Sequence, residues 1–107
     1  MKKILVFGGF GFLGYYLVHE LLNRGYEVTV ADIHENKKFE SKITYIKCDI
    51  TSKENVESVF KNKQFDVVYN LAGFANLDIS IKYPIDTIQL NVIGNMHILE
   101  ELSLIHI

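Results

Sequence analysis

A glycine-rich segment near the start of the chain is the pattern that most directly suggests chemistry. The segment reads Gly8-Gly9-Phe10-Gly11-Phe12-Leu13-Gly14. Gly9, Gly11 and Gly14 fit the dinucleotide-binding spacing G-x-G-x-x-G, and Gly8, Gly11 and Gly14 fit the looser G-x-x-G-x-x-G. A glycine turn that leads into a helix offers backbone N–H groups and a favourable dipole to a phosphate. The segment therefore predicts a pyrophosphate site, with a glycine turn used only for packing as the alternative.

Asp32 follows as the second candidate, at the end of an apolar run that is typical of a strand. A carboxylate at this place can accept hydrogen bonds from both ribose hydroxyls of an adenosine. Its charge would repel a 2′-phosphate, so Asp32 predicts NAD in preference to NADP. A solvated loop acid is the alternative. Lys37 and Lys38 lie several residues further on, where a solvated surface is the better interpretation.

Two later positions could complete a site for a flat ring system. Asp49 could accept a hydrogen bond from an adenine amino group, or it could simply lead into a helix ahead of Thr51. The small residues Ala72 and Gly73 would leave room for a ring, although Gly73 could also serve only to turn the chain. The histidines and Cys48 show no metal-ligand spacing, so we expect no metal site.

Alternating strands and helices would have to position these residues. Short apolar or β-branched runs predict strands over residues 4–7, 27–32, 43–47 and within 65–71. Parallel strands joined by helices place their carboxyl ends, and any bound ligand, at one edge of the sheet. The predicted fold class is therefore α/β, a Rossmann-like doubly wound parallel sheet of which about four strands, the N-terminal part, are present.

Three helices are predicted between and after these strands. The first has an apolar stripe of Leu13, Leu17 and Leu21 and stops at Gly25. The second opens at a capping box formed by Thr51 and Glu54. Its predicted stripe is Val56, Val59 and Phe60. The third begins at Pro84. Its predicted core face is Ile88, Val92, Met96 and Leu99.

The predicted sheet ends at a strand with an open edge, so we expect residues 1–101 to be a truncated domain. The final Leu-Ser-Leu-Ile-His-Ile is what a transposase end sequence used in sequencing libraries would encode. We therefore expect residues 102–107 to be an adapter-derived tail, with a natural helix end as the alternative.

Composition narrows the class of protein further. The chain has 107 residues, 49% hydrophobic and 22% charged, which is typical of one globular domain. Its net charge of −2 argues against a nucleic-acid partner. No run reaches the ~18 apolar residues of a membrane span. The single cysteine, Cys48, cannot form an internal disulfide and predicts a cytoplasmic location. A secretory signal over the first 18 residues is disfavoured by its glycines and by the missing cleavage site.

Taken in order, these motifs resemble the NAD-dependent epimerase/dehydratase family of the extended short-chain dehydrogenase/reductase superfamily. The glycine segment matches that family's motif and Asp32 its ribose-binding acid. Asp49-Ile50 matches the pair against adenine, and Asn70-Leu71-Ala72-Gly73 matches the motif beside the cofactor. Pro84 and the run Asn91-Val92-Ile93-Gly94-Asn95 match the helix that follows, where the family's residue at Asn91 is chiefly structural. Ser80 matches a serine near the substrate, although a lone loop serine is more often inert.

The resemblance implies NAD as cofactor, a nucleotide-sugar substrate and a homodimer for a full-length epimerase or dehydratase. In that family, a tyrosine in a Tyr-x-x-x-Lys pair removes a sugar hydroxyl proton while hydride passes to NAD. The chain contains no such pair, so we expect no catalytic residue in it and no turnover from it alone. A dinucleotide sensor without catalysis stays open as an alternative, as does a structural domain with a degenerate pocket.

Two residues depart from the family pattern. Phe7 stands where the family commonly has threonine, and Phe10 stands where it usually has a small residue. Phe10 would put a bulky ring beside the predicted pyrophosphate site, so the details of cofactor contact are expected to differ here.

Overall fold

Four parallel strands and the helices that connect them form the structure, a computed structural model that describes residues 2–35, 42–73 and 81–105. The strands are β1 (Lys3–Phe7), β2 (Glu27–Asp32), β3 (Thr44–Lys47) and β4 (Val67–Asn70). The helices are α1 (Phe12–Asn23), α2 (Lys53–Phe60), α3 (Pro84–Ile88), a π-helical segment (Gln89–Gly94) and α4 (Asn95–Ile105).

The sheet has the order β3-β2-β1-β4, and each neighbouring pair is parallel. The interior strand β1 is buried from Ile4 to Phe7, which fits its unbroken apolar run, because a parallel strand covered on both faces is apolar throughout. This arrangement confirms the predicted α/β, Rossmann-like fold. The carboxyl ends of the strands meet at one edge, where Phe7 lies in register with Ala31 and with Asn70.

Each face of the sheet has its own core. Ile4, Val6, Val28 and Val30 pack with Val18 and Leu21 of α1 on one face. On the other face, the core consists of Leu5, Phe7, Ala31, Cys48, Ile50, Val56, Val59, Phe60 and Ile98. Successive strand side chains point to opposite faces, so a continuous apolar strand is buried by helices on both sides. The result is a three-layer α/β/α arrangement.

The buried face of α1 differs from the predicted stripe. Leu13 is 64% exposed, whereas Gly14, Val18 and Leu21 are buried. Gly14 sets this rotation because it lets the helix approach the glycine segment more closely than a leucine could. The helix ends before Gly25 (φ +81°), as predicted.

The start of α2 also differs by one residue. Ser52, and not Thr51, is the N-cap, and its hydroxyl accepts a hydrogen bond of 3.3 Å from the Asn55 N–H. The Thr51 hydroxyl donates instead to Asp49 Oδ1. The predicted buried residues Val56, Val59 and Phe60 are confirmed.

The last helical stretch packs through the opposite face from the one predicted. Ile88, Val92, Met96 and Leu99 are all at least half exposed, and we call these four residues the apolar seam. Gly94 and Ile98 are buried instead, because the absent side chain of Gly94 lets the helix approach Ile50. In the described parts of the chain, we find no helix that is both long and apolar enough to span a membrane.

Candidate dinucleotide site

A groove of about 250 Å³ lies at the carboxyl edge of the sheet. It brings together nine of the predicted site residues, namely Gly8, Phe10, Gly11, Asp32, Asp49, Ile50, Leu71, Ala72 and Gly73. An adjoining cavity of about 700 Å³ shares Ile33, His34, Asp49 and Leu90 with it. Together the two cavities reach the size range of small-molecule and cofactor sites.

Five predicted residues lie outside the groove wall. Gly9 and Gly14 are buried members of the glycine segment, while Phe12 and Leu13 are 85% and 64% exposed. Asn91 lies behind Gly73, consistent with the structural role that the resemblance implies.

Three of the four glycines are required by the fold itself. Gly8 has φ +74°, and a Cβ there would lie 2.8 Å from the backbone nitrogen of Ala72. A Cβ on Gly14 would lie 2.4 Å from the Gly8 carbonyl oxygen, and one on Gly9 would lie 2.7 Å from Val30 Cγ1. This close packing around the three glycines is the structural role considered above as the alternative to phosphate binding. It keeps the turn tight.

Gly11 has no such structural reason to be glycine. Its backbone is extended (φ −73°, ψ 179°), which any residue can adopt. The nearest atom to a Cβ there would be the Gly8 carbonyl oxygen at 3.4 Å, an ordinary contact distance. Gly11 is exposed and lines the groove. A ligand that approaches the backbone closely would explain the missing side chain.

The N-terminus of α1 reaches the groove at Gly11. Gly11 is the N-cap, with no side chain to cap the helix, and the first turn contains no acidic residue. The first intrahelical bond is from Tyr15 N–H to the Gly11 carbonyl, at 2.9 Å. The N–H groups of the first turn therefore have no intrahelical acceptor, and their dipole favours an anion. These features fit a pyrophosphate.

Asp32 is held at the end of β2 by two backbone donors. The His34 N–H donates to Oδ1 at 2.9 Å, and the Phe10 N–H donates to Oδ2 at 3.1 Å. An ionised carboxylate has about four acceptor positions. Each oxygen therefore keeps capacity for a further donor, as two ribose hydroxyls would require.

Asp49 combines a structural role with its place in the groove. Its Oδ1 accepts hydrogen bonds from the Thr51 N–H and hydroxyl, at 3.0 and 2.7 Å. Its own N–H donates to Asn55 Oδ1 at 3.1 Å. Asp49 thus fixes the turn into α2, which was the alternative interpretation, while it lines the groove beside Ile50.

A group of asparagines shapes the chain after β4. Asn70 Oδ1 accepts from the Ala72 N–H at 3.2 Å, and the Asn70 amide donates to Asn95 Oδ1. The Asn95 amide donates in turn to the Asn91 carbonyl. A Cβ on Gly73 (φ +150°) would lie 2.8 Å from Asn91 Oδ1. The positive φ favours glycine here, and any side chain would also have to displace the Asn91 amide group.

Five groove residues were not predicted from the sequence: Ala31, Ile33, His34, Cys48 and Leu90. Each lies within two positions of a predicted site residue, so the carboxyl-edge rule could have found them. Cys48 is buried, and burial followed by the charge of Asp49 raises its pKa to about 11. Lys37, Lys38 and Ser80 lie outside the described residues.

Comparison with known proteins places this site in context. A UDP-glucose 4-epimerase of Bacillus subtilis is 30% identical over 94% of this chain and 32% of that protein. A bifunctional UDP-glucose and UDP-xylose 4-epimerase of Arabidopsis thaliana is 29% identical over 95% of this chain and 33% of that protein. The crystal structure of Thermus thermophilus UDP-glucose 4-epimerase in complex with NAD superposes with a TM-score of 0.84 at 32% identity, covering 92% of this chain and 33% of that one.

The chain thus spans about a third of the length of these relatives. A profile of the NAD dependent epimerase/dehydratase family matches residues 4–107, nearly all of the sequence. The match confirms the resemblance drawn from the ordered motifs, and the family's cofactor is the NAD that the glycine segment and Asp32 predict. The chain belongs to the NAD-dependent epimerase/dehydratase family.

Proposed function

We propose that the full-length protein is an NAD-dependent nucleotide-sugar epimerase or dehydratase, with epimerisation at the sugar C4 as the first activity to test. This chain would supply the half that binds the cofactor. The relatives named as UDP-glucose 4-epimerases support the substrate class. The nicotinamide ring supplies the hydride acceptor that transient oxidation of a sugar hydroxyl needs.

In this proposal, the residues of this chain bind the cofactor and orient it. The backbone around Gly11 and the first turn of α1 would hold the pyrophosphate. Asp32 would accept the hydrogen bonds of the adenosine ribose, and Asp49-Ile50 would lie against adenine. Leu71, Ala72 and Gly73 would face the remaining cofactor, with Asn91 fixing the position of Gly73. The observation that carries the proposal is Gly11, which no contact within the described protein requires to be glycine.

The direct test is interconversion of UDP-glucose and UDP-galactose by the full-length protein, with dTDP-sugars as further substrates. We expect turnover from the full-length protein and none from the 107-residue polypeptide, which lacks a Tyr-x-x-x-Lys pair. A positioned general base contributes roughly 10²–10⁴-fold to such a reaction. Turnover by the polypeptide alone would contradict the proposed division of roles.

The same assay separates the enzyme from a dinucleotide sensor. A sensor would bind NAD and NADH with different affinities but would convert none of the sugars. A cytoplasmic location and a homodimer are further parts of the proposal, and both are tested on the full-length protein, by cell fractionation and by light scattering.

A further inference from the structure

Two aromatic rings stand beside Asp32 at one side of the groove. Phe10 belongs to the glycine segment and Tyr45 to β3, and their ring centroids are 5.5 Å apart with the planes inclined by 33°. Both residues are half-buried, and Phe10 lines the groove. We call this pair the aromatic wall. The large ring at position 10 is the feature that the family resemblance left unexplained.

Hydrogen bonds fix the aromatic wall to Asp32. The Phe10 N–H donates to Asp32 Oδ2 at 3.1 Å, and the Tyr45 hydroxyl donates to the Asp32 carbonyl oxygen at 3.0 Å. Burial, followed by the charges of Glu35, Asp32 and Cys48, raises the pKa of Tyr45 above its ordinary value. The hydroxyl therefore stays protonated, and able to donate, to a higher pH than that of an ordinary tyrosine.

This geometry bears on which dinucleotide the groove accepts. A ribose bound to Asp32 places its hydroxyls at the two carboxylate oxygens, and Oδ2 is the one that contacts the Phe10 backbone. With the 2′-hydroxyl at Oδ2, a 2′-phosphate would add three oxygens directed toward the Phe10 side of the groove, where the Phe10 ring packs on Tyr45. The Phe10 ring offers that phosphate no hydrogen-bond donor. Because the Phe10 ring packs against the Tyr45 ring, it cannot easily move aside.

We propose that the aromatic wall is a second determinant of cofactor choice, which excludes a 2′-phosphate by its bulk, independently of the charge of Asp32. The inference rests on NAD binding with its adenosine ribose at Asp32. It assigns a specificity role to Phe10 and a positioning role to Tyr45, which holds the Phe10 ring in place.

The test is calorimetric titration of the full-length protein with NAD and with NADP. The variants are Phe10→Ala, Asp32→Asn, the double variant and Tyr45→Phe. Phe10→Ala keeps the backbone N–H bond to Asp32, so it removes only the ring. Tyr16→Ala is the matched control, because Tyr16 is an exposed aromatic residue on α1 that does not line the groove.

We expect Phe10→Ala to lower the ratio of the NADP and NAD dissociation constants by about tenfold, the lower range for a size change in a pocket wall. Asp32→Asn should leave a preference for NAD that disappears only in the double variant. Tyr45→Phe should lower the ratio less than Phe10→Ala, and Tyr16→Ala should not change it.

An unchanged ratio in Phe10→Ala, or equal binding of both cofactors by Asp32→Asn alone, would overturn the proposal. If Phe10→Ala does not fold, Phe10→Leu serves as the smaller side chain and is judged by the same ratio. Failure of the unsubstituted protein to bind NAD would refute the proposed function itself, whereas NAD binding with an unchanged ratio refutes only the role of the wall.

Discussion

Asp32 is expected to determine cofactor choice through its negative charge and through its two carboxylate oxygens, which backbone N–H groups hold in position. Asp32→Ala should weaken NAD binding by about ten- to a hundredfold, since hydrogen bonds to a charged group contribute about 1.5–3 kcal/mol. NADP binding should weaken less, because the repulsion of its phosphate is relieved at the same time. Calorimetry on the full-length protein measures both constants, with circular dichroism as the check on folding. Equal affinity of the unsubstituted protein for the two cofactors would contradict the role of Asp32.

Cys48 provides a test of the groove's interior that does not depend on ligand binding. Its pKa, raised from 9.0 to about 11, keeps the thiol protonated at neutral pH. We expect slow reaction with Ellman's reagent in the folded protein and fast reaction in urea. Because the folded-state pKa is the higher one, this group favours folding fully below pH 9 and loses that contribution as the pH rises through 11. The unfolding midpoint should therefore fall more in this range than it does for Cys48→Ala.

The contact between Gly94 of the last helical stretch and Ile50, which precedes α2, should link stability to the groove. A Cβ on Gly94 would lie 2.6 Å from Ile50 Cδ1 and Cγ1, and Ile50 lines the groove. Gly94→Ala should lower the free energy of unfolding by about 1–3 kcal/mol, typical of overpacking, and should weaken NAD binding. Adding Ile50→Val should restore part of the lost free energy of unfolding and part of the lost NAD affinity. Gly25→Ala is the control, since its Cβ meets nothing within 4 Å and only the positive φ is strained. An equal loss of NAD affinity in Gly25→Ala would contradict the link.

The strands were predictable because apolar runs of four to six residues between turn signals are typical of strands and short for helices. The buried face of α2 was predicted correctly as well, but those of α1 and of the last helical stretch were not, and the last helical stretch shows why. Its two faces are both apolar, one containing Leu90 and Ile98 and the other the apolar seam. Periodicity identifies an apolar stripe but not the element that the stripe contacts. Here the small residue Gly94 determines which face of the helical stretch packs on the core. In α1, likewise, the small residue Gly14 faces the core and Leu13 is exposed.

The site was predictable to a similar extent and for a related reason. The carboxyl-edge rule placed Gly8, Asp32, Asp49 and Ala72 together, and the structure does bring them to one groove. The hydrogen bonds that hold the Asp32 carboxylate come from backbone groups, whose positions depend on loop geometry that residue types do not specify. The contact between Phe10 and Tyr45 joins residues 35 positions apart in the sequence, so no local pattern could reveal it.

The 107-residue polypeptide as a whole should associate with itself in solution. The outer edge of β4 is unpaired in the described sheet, with Tyr69 37% exposed, and the apolar seam adds four exposed apolar side chains. Open edges and large apolar patches both favour aggregation. Val92→Lys with Met96→Glu should increase the fraction that sediments as monomer in analytical ultracentrifugation. A fully monomeric unsubstituted polypeptide at high concentration would contradict this prediction.

The position of Gly11 allows NAD binding to be separated from folding in one measurement. Aspartate is a favoured N-cap and complements the helix dipole, so Gly11→Asp should keep or raise the stability of α1 by a few tenths of a kcal/mol, up to about 1 kcal/mol. The same carboxylate would occupy the phosphate position and repel the pyrophosphate. Ser52→Asp, which puts the same charge on the N-cap of α2, is the control. Titrating NAD into the full-length protein should show tight binding without substitution, unchanged binding in Ser52→Asp, and no measurable binding in Gly11→Asp at an undiminished melting temperature. Unchanged NAD affinity in Gly11→Asp would show that the dinucleotide does not bind at the glycine segment.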